Sequence, residues 1–178
     1  MVDVNGDGRA DYCRFVGTSP ETTALSCMLA TDSGFGPQEL KSGAGPGNLT
    51  PRSSRYPVEL MGDVNGDGRA DYCRIINETS SSRYLSCALA SANGFGNRDF
   101  NSARGIDYGL DTSYGADIFL ADINDDGRAD FCRFVGPRST KQEFVCTLAT
   151  RSGFGPDEVR AVILRPDGNT PGLMVERR

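Results

Sequence analysis

The chain has 178 residues, of which 38% are hydrophobic and 24% are charged, and its formal net charge is −5. Such a composition supports one soluble domain or a few small repeats, and its acidic balance argues against nucleic acid as a partner. The chain contains no histidine, which excludes histidine-based catalysis and histidine metal sites, and no apolar run is long enough for a membrane span.

The sequence consists of three copies of one unit of about 60 residues. A twelve-residue segment that begins at Asp3 returns unchanged at Asp63 and in a related form at Asp122. A cysteine-containing segment and a Gly-Phe-Gly motif recur at the same steps. We therefore predict a single domain, 1–178, with repeat units 3–62, 63–121 and 122–178, in which residues 1–2 close the first unit.

Each acidic segment leads into a predicted β-hairpin. The residues after it alternate between apolar and polar, which favours a strand over a helix. If Cys13 lies opposite Cys27 in an antiparallel pair, Phe15 falls opposite Leu25. The same register produces two further apolar pairs, Ile75 with Leu85 and Phe134 with Phe144. Three apolar matches from one assumption make the hairpin the predicted core of each unit.

Two more strands complete the predicted unit. One precedes the acidic segment, and the other follows Gly-Phe-Gly, at 39–41 in the first unit and 158–162 in the third. The tail 173–175 is predicted to take the place that 58–61 and 118–120 take before their acidic segments. Four short strands per unit predict an all-β fold, a β-propeller segment built from three four-stranded blades.

The acidic segments have the composition of calcium-binding loops. Oxygen-bearing side chains stand at positions 1, 3, 5 and 9, and the main-chain carbonyl at position 7 adds another oxygen. Calcium takes six to eight such ligands. The predicted ligands are Asp3, Asn5, Asp7, Arg9 and Asp11; Asp63, Asn65, Asp67, Arg69 and Asp71; and Asp122, Asn124, Asp126, Arg128 and Asp130. An EF-hand is disfavoured, because arginine replaces the glutamate that it needs at position 12 and the flanks are strand-like.

The alternative is a set of solvated acidic turns, since Asp, Asn and Gly favour turns by themselves. Three complete copies favour the metal, because three aspartates within nine residues repel one another without a cation. Three Ca²⁺ per chain would add +6 to the net charge of −5 and leave about +1. The calcium is predicted to be mainly structural.

Six cysteines allow 15 pairings. The hairpin register selects one bridge per unit, Cys13–Cys27, Cys73–Cys87 and Cys132–Cys146. Such bridges persist in oxidising compartments and predict a secreted, extracellular protein. Six buried free thiols in a cytosolic protein are the alternative.

Other polar and aromatic residues divide into ligand candidates and packing residues. Residues with stacking faces or hydrogen-bonding groups in the connectors are candidate ligand contacts: Tyr56, Tyr108, Asp111 and Tyr114. The aromatic residues that follow each acidic segment, Tyr12, Tyr72 and Phe131, are predicted to pack within the fold. The repeated arginines, Arg14, Arg74 and Arg133, are predicted to balance loop carboxylates or to face a groove.

The loop Asp-x-Asn-Gly-Asp-Gly-x-x-Asp, followed by a hairpin and Phe-Gly at a period near 60, resembles the FG-GAP/VCBS repeat family, which includes integrin-α-type propellers and Psathyrella-type fungal lectins. The resemblance covers all three units. It implies a calcium-bearing extracellular β-propeller used in adhesion or sugar recognition and often attached to secreted hydrolases. The paired cysteines are not part of the general family pattern.

Three units depart from the four to eight blades of a closed propeller. A homodimer could form a six-bladed ring, with 173–175 completing the partner's first blade. The chain could also be a fragment of a longer repeat protein, or adopt a compact fold outside the propeller class. We expect a non-enzymatic recognition module, lectin-like with a carbohydrate ligand. The alternatives are adhesion to an extracellular protein and an accessory domain of a secreted hydrolase; no recurring acids outside the loops favour catalysis.

Overall fold

A computed structural model describes residues 2–19, 21–43, 59–76, 84–96, 100–104, 118–135, 141–164 and 172–174. Within these residues the chain is all-β and contains no helix. The strands are β1 (Tyr12–Val16), β2 (Ala24–Thr31), β3 (Gly34–Lys41), β4 (Glu59–Gly62), β5 (Asp71–Ile76), β6 (Tyr84–Ala88), β7 (Ala90–Ser91), β8 (Gly94–Phe95), β9 (Phe100–Asn101), β10 (Ile118–Ala121), β11 (Asp130–Val135), β12 (Lys141–Ala149), β13 (Phe154–Leu164) and β14 (Gly172–Met174).

The hairpin predicted from the repeated apolar pattern is confirmed in each unit. Cys13 lies opposite Cys27 and Phe15 opposite Leu25 in the pairing of β1 with β2. The same register relates β5 to β6 and β11 to β12. Because each cysteine pair is in direct cross-strand register, all three predicted disulfides form: Cys13–Cys27, Cys73–Cys87 and Cys132–Cys146.

The strands form one main sheet per repeat. The middle sheet has the four predicted strands, in the order β4-β5-β6-β9, and β7 pairs with β8 beside it. The first sheet has the order β1-β2-β3, and Val2 forms a bridge with Asp11 at the position that Gly62 takes opposite Asp71. Among the described residues the sheets do not close into a barrel or a ring.

The third sheet has five strands, β10-β11-β12-β13-β14, rather than four. The fifth strand is the tail, which pairs antiparallel with β13 so that Met174 lies opposite Val162. The prediction that this tail takes the place of a strand before an acidic loop therefore differs from the observed pairing. The reason is the length of β13, whose eleven residues extend far enough to offer the tail a free edge.

The hydrophobic core lies between consecutive repeats. Each sheet has an aromatic face, which bears the aromatic residue after the loop and the phenylalanine of Gly-Phe-Gly, and a cystine face, which bears the disulfide. The cystine face of the first repeat packs against Tyr72 and Phe95 on the aromatic face of the second. Likewise, the cystine face of the second repeat packs against Phe131 and Phe154 of the third. The repeats thus stack in a row, and their order follows the sequence.

The acidic loops also contact each other along this row. The Ala70 N–H donates to the Asp3 main-chain carbonyl at 2.7 Å, and the Ala129 N–H donates to that of Asp63 at 2.6 Å. A Cβ on Gly66 would lie 3.1 Å from Cγ of Arg128, so the arginine stem of one loop rests on the glycine of the preceding loop. Each loop is therefore part of the contact between repeats.

Replacing Gly66 by alanine tests this contact against a matched control, Gly68→Ala. Both glycines have φ near +80°, so both variants incur a left-handed backbone cost of about 1 kcal/mol. A Cβ at residue 68 meets nothing within 4 Å, whereas one at residue 66 meets Arg128. We expect Gly66→Ala to lower the free energy of unfolding by about 2 kcal/mol and Gly68→Ala by about 1. Urea unfolding measures both, and equal losses would show that the arginine contact does not hold the repeats together.

Candidate metal centres

The aspartate at position 1 holds each acidic loop in its turn. In the first loop, Asp3 Oδ1 accepts hydrogen bonds from the N–H groups of Gly6 at 2.7 Å and Asp7 at 3.3 Å, and its Oδ2 accepts one from Gly8 at 2.7 Å. Asp63 makes the same three contacts in the second loop. These bonds draw several main-chain N–H groups around one carboxylate and so stabilise the turn of the loop from within.

Positions 3 and 5 lie side by side at the exposed rim of the loop. Asn5 Nδ2 donates to Asp7 Oδ2 at 3.1 Å, and the other oxygen of Asp7 accepts the Arg9 N–H at 2.9 Å. The Arg9 side chain extends to Asp7 at 3.3 Å and to Asp32 at 2.6 Å. The equivalent arginines of the other loops pair with Asp67 and Asp126. Each loop therefore carries an arginine close to its position-5 carboxylate, a contribution of this side chain that the sequence did not predict.

The aspartate at position 9 lies apart from the rim, beneath the loop. Asp71 is fully buried, and its two oxygens accept the N–H groups of Val64 at 3.0 Å and Ala90 at 2.7 Å. Asp11 and Asp130 are equally buried and make the equivalent pair of bonds. This carboxylate joins the start of the loop to the end of the hairpin. It retains lone pairs for a further partner, because a carboxylate offers about four acceptor sites.

Burial makes the carboxylates of Asp71 and Asp130 costly to ionise. Burial raises the pKa of Asp71 to about 7; the nearby Asp67 and Asp63 charges add to the rise, and the N–H groups of Ala90 and Val64 oppose it. Burial likewise raises the pKa of Asp130, with bonds from Ala149 and Ile123 opposing. A cation near these groups would favour their ionised forms.

The prediction that the arginine after each hairpin cysteine balances a loop carboxylate is wrong for Arg14 and Arg133. Arg14 pairs with Glu39 at 3.1 Å on the aromatic face of its sheet. Arg133 is buried and donates to Glu158 and to Thr147, both at 2.8 Å. The reason is strand geometry, because consecutive side chains along a strand point to opposite faces. The arginine that follows the cysteine therefore lies on the face opposite the disulfide, where it reaches the fourth strand.

The chemistry of the loops fits a hard divalent cation, since Asp and Asn oxygens and main-chain carbonyls are the ligands that calcium prefers. Within the described ranges, however, no group of three or more Cys, Asp and Glu side chains is arranged to hold a metal ion. The loop oxygens accept main-chain N–H groups instead. The residues that would hold a cation are those of positions 1, 3 and 5, with position 9 beneath them.

The four candidate ligand contacts, Tyr56, Tyr108, Asp111 and Tyr114, lie outside the described residues. Tyr72 and Phe131, predicted to be packing residues, are fully buried between repeats and confirm that role. Tyr12 differs, because its face of the first repeat is exposed. No helix in the described part of the chain is long and apolar enough to cross a membrane.

Comparison of this chain with protein-family models, with curated proteins and with solved structures finds no match.

Proposed function

We propose that this chain is a non-enzymatic, extracellular calcium-binding recognition module with a lectin-like role. The observation that carries the proposal is the threefold repetition of one oxygen-rich loop with the same hydrogen bonds in each copy. Ordinary solvated turns have no need to keep acids at three matching positions and an asparagine at a fourth, with one of the acids buried without a paired cation.

Calcium bound at the loops would stabilise the stacking of consecutive repeats. Positions 1, 3 and 5 and the position-7 carbonyl would supply oxygen ligands, and the ion would offset the repulsion among the aspartates of one loop. Because consecutive loops share a main-chain hydrogen bond, an ordered loop also orders the next repeat. Binding energy would therefore add to folding energy.

The disulfides and the stacking of the repeats support the remaining parts of the proposal. Three intrachain disulfides are typical of extracellular proteins. A row of face-to-face sheets is the arrangement of propeller blades, so the repeats would belong to a ring that is completed by further blades. Equivalent connectors would then present several similar sites, through which weak contacts with carbohydrate add up.

Removing calcium is expected to lower the thermal stability of the protein. At a free calcium concentration of 100 times Kd, each site would contribute about 2.7 kcal/mol, which a chelator abolishes. Isothermal titration calorimetry should count three sites per chain, and Asp67→Asn should reduce this number to two. An unchanged melting temperature after treatment with EDTA would contradict the calcium proposal.

Asp32→Asn is the matched control for this experiment. Asp32 is an exposed aspartate that pairs with Arg9 close to the first loop but is not a predicted ligand. The Asp32→Asn variant removes the same charge as Asp67→Asn, so a general effect of net charge would appear equally in both variants. Three sites should remain in Asp32→Asn.

A glycan array probed with and without calcium tests the recognition role. Calcium-dependent binding to a class of sugars would support the lectin-like proposal. If no glycan binds while the protein is loaded with calcium, the carbohydrate proposal fails and a protein partner becomes the leading alternative.

A further inference from the structure

The exposed large hydrophobic side chains of the described structure lie at the two ends of the row of repeats. Tyr12 and Phe35, on the aromatic face of the first repeat, are 44% and 48% exposed. Phe119, Ile123 and Val159, on the cystine side of the third repeat, are 38%, 37% and 38% exposed. Exposed apolar side chains that cluster on two faces indicate interaction surfaces rather than scattered surface residues.

The repeat structure shows what covers each kind of face elsewhere in the chain. The residues equivalent to Tyr12 and Phe35 are Tyr72 with Phe95 and Phe131 with Phe154, and all four are buried against the cystine face of the preceding repeat. The position of Ile123 is held in the other loops by Val4 and Val64, both fully buried by the following repeat. Each exposed face is therefore one half of a contact that the chain already makes twice.

The main chain is complementary at the two ends as well. The Ala70 and Ala129 N–H groups donate to the position-1 carbonyl of the preceding loop, so the Ala10 N–H of one copy matches the Asp122 carbonyl of another. A Cβ on Gly94 would lie 2.5 Å from the Lys41 carbonyl oxygen of the preceding repeat, whereas one on Gly34 would meet nothing within 4 Å. Gly34 of the first repeat thus allows the same close approach of a neighbouring main chain, but among the described residues no repeat of its own chain lies there.

The charges at the two ends are also complementary. In the first two loops, a glycine lies under the arginine stem of the next repeat: Gly6 contacts Arg69, and Gly66 contacts Arg128. The third loop has Asp125 at this position, with φ at +60°. The arginine that would come to lie over Asp125 is Arg9 of a second copy. An acid would therefore face a base at this contact, whereas the two internal contacts have a glycine in place of the acid.

We propose that the aromatic face of the first repeat docks onto the cystine side of the third repeat in a second copy of this chain. The contact is head to tail, and it reuses the geometry that joins the first repeat to the second and the second to the third. A head-to-tail contact produces a closed ring if the rotation closes and a longer row if it does not. The docking rests on apolar faces and main-chain groups, not on the calcium proposal.

Two single variants test the proposal by light scattering on size-separated protein. Phe35→Asp removes the docking face of the first repeat, and Val159→Asp removes that of the third. The unaltered chain is expected at a multiple of 19.1 kDa, and each variant alone at 19.1 kDa. Both residues are exposed within one chain, so the variants should fold, which far-UV circular dichroism and the absence of free thiols check.

Mixing the two variants identifies the geometry. Phe35→Asp retains an intact third-repeat face and Val159→Asp an intact first-repeat face, so an equimolar mixture should produce a dimer with one copy of each. Thr18→Asp, an exposed hairpin position on neither face, is the control and should associate like the unaltered chain.

The proposal is overturned if the unaltered chain is a monomer at about 0.1 mM, both with calcium and with EDTA. It is also overturned if only one of the two variants dissociates, because a symmetric contact would use one face alone. A mixture that stays monomeric overturns it as well, because the two intact faces would then not bind each other. Association that persists in EDTA supports docking even if no calcium binds, so the two proposals fail separately.

Discussion

Replacing Asp71 by alanine is expected to lower the free energy of unfolding by about 3 kcal/mol. Its carboxylate accepts the N–H groups of Val64 and Ala90, and both donors lie in the buried centre of the molecule. Alanine leaves the two N–H groups without these acceptors, and each buried, unsatisfied N–H costs about 1–3 kcal/mol. The loss is reduced because the buried carboxyl, whose pKa burial raises to about 7, is itself costly to ionise.

Two further variants separate this role from metal binding. Asp71→Asn keeps one acceptor oxygen and should fall between alanine and the unaltered chain. Asp67→Ala removes an exposed carboxylate of the same loop that pairs with Arg69, and should cost no more than about 1 kcal/mol. All three are measured by urea unfolding in the presence of EDTA, which excludes bound calcium. If Asp71→Ala costs no more than Asp67→Ala, the buried hydrogen bonds do not hold the loop to the hairpin.

Removing the middle disulfide, Cys73→Ala with Cys87→Ala, is expected to cost about 3 kcal/mol or more. The bridge closes a loop of about 15 residues, for which the entropy of the unfolded chain alone accounts for about 3 kcal/mol. Both sulfurs are also part of the core between the second and third repeats, so their loss removes packing contacts in addition. Urea unfolding of the oxidised proteins measures the difference.

The equivalent pair in the first repeat, Cys13 and Cys27, is the control. The sequence separation is 14 in both bridges, so the entropic contribution is the same. Cys13 is only partly buried, and its removal should therefore cost less than removal of the middle bridge. Equal losses would attribute the effect to the unfolded chain alone, and a loss below about 1 kcal/mol in both would contradict a stabilising role.

The hairpins and the disulfides followed from the sequence because the repeats supplied three tests of one register. A one-residue slip would have moved Phe15, Ile75 and Phe134 to the opposite face of their strands at once. The observed pairing of Cys13 with Cys27 and of Phe15 with Leu25 is the one that avoids this slip. The alternation of apolar and polar residues and the threefold repetition were together sufficient to predict the hairpin register and the disulfide pairing.

The contacts between strands distant in sequence were not accessible in this way. Arg133 and Glu158 are 25 residues apart, and only the pairing of β11, β12 and β13 places them on one face. The burial of Asp71 depends likewise on Ala90, which lies 19 residues away. The sequence identified the acids of the loop but did not show that one of them serves the main chain of a neighbouring strand.

The position of the disulfides has a mechanical consequence. Every bridge joins neighbouring strands of one hairpin, so no disulfide crosses from one repeat to the next, and only the main chain connects the repeats covalently. When the two ends of the oxidised chain are pulled apart, the repeats separate by rupture of non-covalent contacts, while the residues inside each bridge stay slack. With cysteines 14 positions apart, each bridge withholds about 45 Å of extension, which tensile force could release only after reduction.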